Sequence, residues 1–160
     1  METCPVQFNA PATMALFGAT GTGKTTFCKK LIENSHLMFN KPVDKVLYCY
    51  GIYQDLFKDL ISKNNNMHMH AGLPTKEMIF ELIKDKQHTL IVIDDLQQEM
   101  CADPQMEKLF TQLSHHLQTS VLFMANNLFQ KNCSRTIIVN IHVIILFRNA
   151  RDAQQVRCLA

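Results

Sequence analysis

The chain has almost no charge excess: 16 lysines and arginines stand against 14 aspartates and glutamates in 160 residues, a formal balance of +2. No general basic field announces a nucleic-acid partner, so any such contact falls to a few local basic groups. The six cysteines, Cys4, Cys28, Cys49, Cys101, Cys133 and Cys158, show no C-x-x-C spacing, and no signal peptide precedes them. They read as reduced intracellular thiols. His68 alternates with His70, and His115 abuts His116, but without paired Cys/His spacing neither pair reads as a zinc site. The longest apolar stretch, Thr136 to Phe147, is broken by Asn140 and His142 and is too short to cross a bilayer, so no membrane association is expected. Repeats, long linkers and low-complexity tracts are also missing. With 47% hydrophobic and 19% charged residues, the whole length is expected to fold as one domain, residues 1–160.

Glycine is scarce, at five residues, yet three of them crowd into Gly18-Ala19-Thr20-Gly21-Thr22-Gly23-Lys24-Thr25. This octet fits G-x-x-x-x-G-K-[ST] at every fixed position and directly follows the apolar run Met14-Ala15-Leu16-Phe17. A glycine-rich turn lets backbone N–H groups point inward at phosphate oxygens, Lys24 can bridge the outer phosphates, and the Thr25 hydroxyl can hold magnesium. A helix opening near Lys24, carrying Thr26 in its first turn, adds the positive end of its dipole. The chain is therefore expected to bind ATP and Mg2+.

Short apolar runs alternate with helical patterns, which predicts an α/β fold: a three-layer phosphate-loop NTPase with a mostly parallel five-stranded sheet and helices on both faces. The strand candidates are Met14–Phe17, Val46–Tyr50, Leu90–Ile93, Val121–Ala125 and Val143–Phe147. Helices are expected over Lys24–Asn34, Tyr53–Ser62, Lys76–Lys84 and Pro104–Leu117. In the last of these Met106, Leu109, Phe110, Leu113 and Leu117 form the apolar stripe, with Asp103 as cap and Pro104 in the first turn.

Hydrolysis also needs a carboxylate for the metal and a group that orients water, both at the C-terminal edge of a neighbouring strand. Leu90-Ile91-Val92-Ile93-Asp94-Asp95 supplies them: Asp94 for magnesium or its water shell, and Asp95 to polarise the attacking water. At the end of the next run Asn126 or Asn127 can sense the terminal phosphate if that strand is adjacent. Arg135, Arg148 and Arg151 are candidates for a catalytic positive charge supplied between subunits.

The ordered series Phe17–Thr25, Tyr48-Cys49-Tyr50-Gly51-Ile52-Tyr53-Gln54, Ile91–Leu96, Leu109–His116, Asn127-Leu128-Phe129, Ser134–Ile137 and Leu146–Asp152 resembles the packaging ATPases of the HerA/FtsK superfamily. The resemblance is to the branch found in poxviruses and Polinton or Maverick elements. It implies an ATP-driven motor, assembled as a homo-oligomeric ring, that pulls double-stranded viral DNA into a capsid, with capsid proteins as further partners. It also implies an intracellular setting in the host cytoplasm or nucleus, or association with the virion. By matching position, Lys24, Thr25, Asp94 and Asp95 form the ATP, metal and water site, and Arg135 or Arg151 is the trans-acting arginine. Two departures stand out. Asn126 replaces the usual Gln, one methylene longer, and Ala150 replaces the usual Pro. Related chains generally continue past the Arg-Asp segment, so a C-terminally shortened chain is expected. That leaves two competing readings: a truncated ATP-binding remnant or regulatory subunit without turnover, and a nucleotide-kinase-like phosphotransferase. The second is disfavoured because Tyr53–His88 contains no arginine for a lid.

Overall fold

The computed structural model describes residues 6–109, 111, 118–127, 135–148 and 157. In chain order the elements are β1 (Thr13–Phe17), α1 (Lys24–Glu33), α2 (Ser35–Met38), β2 (Lys45–Tyr50), α3 (Leu56–Lys63), β3 (Met67–Ala71), α4 (Lys76–Ile83), β4 (Thr89–Asp94), α5 (Gln97–Ala102), α6 (Pro104–Lys108), β5 (Thr119–Ala125), α7 (Arg135–Val139) and β6 (Val143–Leu146). The strands form one sheet in the order β3-β2-β4-β5-β1-β6, and every pairing is parallel.

The α/β expectation holds, with one correction to the strand count: six strands among the described residues rather than five. The additional one, β3, reads Met-His-Met-His-Ala and is buried fully only at Met67. It lies at the sheet edge, where one flank has no partner strand to demand a continuous apolar run. β1, β4 and β5 are buried at every position, as expected of strands covered on both faces.

Alternation along these strands divides the core in two. On one face Met14, Leu16, Val46, Tyr48, Leu90, Val92, Leu122 and Met124 pack against Cys28, Leu31 and Ile32 of α1 and Phe57 and Leu60 of α3. The opposite face sets Ala15, Phe17, Leu47, Ile91, Ile93, Val121 and Phe123 against Ile79 and Ile83 of α4, Met100 of α5, Met106 of α6 and Ile137 of α7. Helix α1, whose N-terminus closes the glycine-rich loop, is clasped to α3 by the ion pairs Lys29–Asp59 and Lys63–Glu33.

Helix boundaries follow their local chemistry. Thr75 caps α4 by accepting from Met78 N at 3.3 Å, and Asp103 caps α6 by accepting from Gln105 N at 2.8 Å, with Pro104 in the first turn. The helix expected from Tyr53 starts instead at Leu56, leaving residues 51–55 as a loop at the C-terminal edge of the sheet. Of the stripe expected over Pro104–Leu117, Met106 and Leu109 are buried; Phe110, Leu113 and Leu117 lie outside the described residues. Cys28 and Cys49 are free and buried, and burial pushes the Cys49 thiol up to about 12, so neither is a reactive thiolate. Cys101, by contrast, is disulfide-bonded, which corrects the reading of all six cysteines as free thiols.

Gly51 follows β2 and is required by a close approach. A Cβ at this position would stand 2.5 Å from the Asp95 carbonyl oxygen. The Gly51 N–H also donates to Asp94 O at 2.9 Å, extending the β2–β4 ladder by one rung. Gly51→Ala is therefore expected to lower unfolding free energy by about 1–3 kcal/mol through overpacking, read as a drop in the urea midpoint at unchanged m-value.

Candidate functional site

The glycine-rich loop begins where β1 ends. Gly18 N donates to Ala125 O at 3.2 Å and Phe147 N to Phe17 O at 2.8 Å, so the loop leaves the sheet between its two flanking strands. A Cβ on Gly18 would come within 2.7 Å of Phe147 Cβ, which excludes larger residues there. Gly21 and Gly23 take left-handed φ angles of 80° and 98°, a region that costs other residues free energy and glycine none. Gly23 is also the residue preceding α1, and no side chain caps that helix end. Its first-turn N–H groups are thus presented toward the loop's interior, where an anion is favoured.

A cleft of about 430 Å³ opens above the loop, lined by Thr20, Gly21, Gly23, Lys24, Thr25, Thr26, Gln54, Asp94, Asp95, Met124 and Asn126. Gly18, Ala19 and Thr22, expected as loop residues, shape it from behind: Thr22 Oγ1 donates to Ala19 O at 2.8 Å. The Lys24 ammonium donates to Gly18 O at 2.6 Å, to Ala19 O at 3.1 Å and to Asn126 Oδ1 at 2.8 Å. Burial lowers its pKa below the ordinary lysine value, while the charges of Asp94 and Asp95 pull it back up.

The acids reach the cleft from a strand one place further away than expected. β4 does not neighbour β1; β5 lies between and pairs with both, Phe17 facing Ala125 and Asp94 facing Met124. The condition set for Asn126, a strand adjacent to both others, is thereby met. Asp94 is buried at the tip of β4, with Oδ2 accepting from Tyr48 Oη at 2.8 Å. Burial raises the Asp94 pKa; the Tyr48 hydrogen bond opposes the rise, the Asp95 charge adds to it and Lys24 opposes it. Asp95 takes φ 56°, breaks the strand and is exposed on the cleft wall.

Sequence reasoning assigned no role to three residues at this site. Gln54 lines the cleft from the β2–α3 loop; its glutamine in an otherwise apolar-aromatic segment was the available signal. Tyr48 and Cys28 lie beneath Asp94, where the tyrosine looked like core and the cysteine like a small hydrophobe. Arg135 and Arg148 are exposed and neither lines the cleft. Arg151, Ala150, Lys131 and the pair His115–His116 lie outside the described residues.

The donors facing the cleft, the Thr25 hydroxyl and the Asp94 carboxylate, are hard oxygen ligands. Among the described residues no cluster of three His, Cys, Asp or Glu could hold a metal alone. Two protein oxygens, with phosphate and water completing the shell, suit magnesium, which keeps most of its water and takes few protein ligands.

Fold and loop together define a phosphate-loop ATPase. Residues 7–155 match the family described as Poxvirus A32 protein, and the chain belongs to that family. No curated protein matches the sequence. Among solved structures the chain is similar to the cytoplasmic domain of EssC (TM-score 0.63, 13% identity), covering 91% of this chain and 33% of that one. The cytoplasmic domain of the Type VII secretion ATPase EccC of Thermomonospora curvata gives 0.63 and 14%, over 89% and 21% of the two chains. The KaiC-like protein PH0186 of Pyrococcus horikoshii OT3 gives 0.53 and 16%, over 88% and 74%. At these identities the likeness is one of fold, and the chain spans a third or less of the EssC and EccC structures.

Proposed function

We propose that this chain is the ATP-hydrolysing motor domain of a machine that moves double-stranded DNA, working as a homo-oligomeric ring inside the infected cell. The observation that supports this reading is the convergence of four functional side chains on one cleft. Lys24 comes from the glycine-rich loop, Asp94 and Asp95 from the tip of β4, and Asn126 from the tip of the strand between.

In this reading the loop N–H groups from Gly18 to Thr26 hold the phosphates, and Lys24 carries positive charge to the outer ones. Thr25 and Asp94 would hold magnesium, which when bound neutralises charge developing on the phosphate oxygens. Asp95, exposed on the cleft wall, accepts a proton from or orients the attacking water, and Gln54 offers an amide to the same water. Asn126 already reaches Lys24 despite being shorter than glutamine, so it senses the terminal phosphate through the lysine that both share. Arg135 faces solvent and lines no part of its own cleft, which suits a group delivered to a neighbouring subunit; Arg151 remains the alternative.

The test is phosphate release by purified protein with ATP and Mg2+, measured with and without double-stranded DNA over a range of salt concentrations. Slow basal turnover that rises with DNA, more weakly as salt increases, is the expected result, together with a ring-sized species in sedimentation. Turnover indifferent to DNA at every salt concentration would sink the translocation reading and leave a simple ATPase. Nucleotide binding with no phosphate release would select the remnant reading.

A further inference from the structure

Tyr48 sits on the α1-facing side of the sheet among apolar residues and has no solvent exposure. Its ring packs against Phe57 with centroids 5.0 Å apart. A phenylalanine would fill the same space, and a buried hydroxyl costs free energy unless it is partnered. The register supplies the partner. Tyr48 lies opposite Val92, and Tyr50 opposite Asp94, so Tyr48 and Asp94 share a face as diagonal neighbours, within reach of an aromatic side chain. The phenol donates to Asp94 Oδ2 at 2.8 Å, and Cys28 of α1 is buried in the same apolar cluster as the tyrosine.

We propose that Tyr48 is a positioning residue for the carboxylate that would bind the metal: by holding Asp94 Oδ2, it leaves Oδ1 free to face the cleft. Two paired strands thereby set one oxygen: β2 carries the phenol and β4 carries the acid. The inference rests on the nucleotide-binding reading of the cleft. A carboxylate with a free rotor could offer either oxygen or swing away, whereas one anchored at Oδ2 presents a fixed lone pair, and partners of this kind typically change metal affinity or activity by 10- to 100-fold.

The experiment uses Mn2+ as a spectroscopic stand-in for Mg2+. The Mn2+ midpoint of ATP binding is measured by paramagnetic resonance and by fluorescent-nucleotide titration, alongside nucleotide affinity in EDTA. Tyr48→Phe is expected to raise the Mn2+ midpoint by about tenfold while leaving affinity in EDTA unchanged. In an Asp94→Asn background the same substitution is expected to add nothing, because its effect runs through the carboxylate. An unchanged midpoint, an equal loss with and without metal, or an undiminished effect in the Asp94→Asn background each overturns the inference. Should Tyr48→Phe fail to fold, Tyr48→Met, which also removes the hydroxyl but fills the space with a flexible apolar chain, carries the test: a raised midpoint supports the role, and an unchanged one overturns it. Wild-type protein that binds no nucleotide at any Mn2+ concentration overturns this inference and the proposed function together. A normal wild type with an indifferent Tyr48→Phe overturns this inference alone.

Discussion

Lys24→Ala is expected to lower ATP turnover by on the order of 10²- to 10³-fold, the usual loss when one preorganised charge facing a developing oxyanion is removed. The geometry explains why no other group would substitute. Lys24 is the cleft-lining residue that carries a positive charge among those described, and its ammonium is held at the mouth of the loop by two carbonyls and Asn126. Arginine would not rescue it, because a planar guanidinium cannot occupy the compact position of an ammonium among those three acceptors. Single-turnover phosphate release at saturating ATP is the decisive measurement, with circular dichroism confirming that the fold is intact. Turnover within a factor of two of wild type would mean that the loop does not grip the reacting phosphate.

Asp94→Asn is expected to divide stability from activity. Losing the carboxylate removes the charged group proposed to bind the metal and should reduce Mg2+-dependent turnover by at least about 100-fold, the upper end of what the loss of an outer-shell partner alone costs. The same substitution should stabilise the nucleotide-free protein by on the order of 1 kcal/mol, since burial disfavours the ionised acid and asparagine still accepts from Tyr48. The sign can be checked against pH. The folded-state pKa of Asp94 is raised, so its favourable contribution is complete below the unfolded value and is lost as pH rises through the folded one. The stability advantage of Asp94→Asn should accordingly be largest at neutral pH and shrink on acidification. Urea melts at several pH values without nucleotide measure it, and an advantage that grew toward low pH would contradict the assignment of burial as the dominant cause.

How far the sequence was legible depended on how much each feature relied on contacts distant in the chain. β1, β2, β4 and β5 lie inside the sheet, and their burial on both faces left continuous apolar runs that can be read directly. β3 was not among the strand candidates because five residues of alternating methionine and histidine form no continuous apolar run and are too few to make a firm period. Helix α5, Gln-Gln-Glu-Met-Cys-Ala, is too short to show a period and buries only Met100. The loop lysine, threonine and paired aspartates were legible because spacing and strand context specify them locally. That Asn126 bonds Lys24 depended on strand order, which the sequence left conditional. The Tyr48–Asp94 bond depended on register: a tyrosine inside an apolar strand reads as packing until the neighbouring strand is aligned beside it.

β5 has one more consequence for the molecule. Inserted between the strand of the lysine and that of the acids, it sets them two strand spacings apart, about 10 Å in the hydrogen-bonding direction. The span is thus a ruler made of main chain, protected along its length by burial on both sides. Side-chain substitutions at the strand tips can change which atoms meet across it but not how far apart their anchors stand. A different gauge would require the central ladders themselves to be rebuilt.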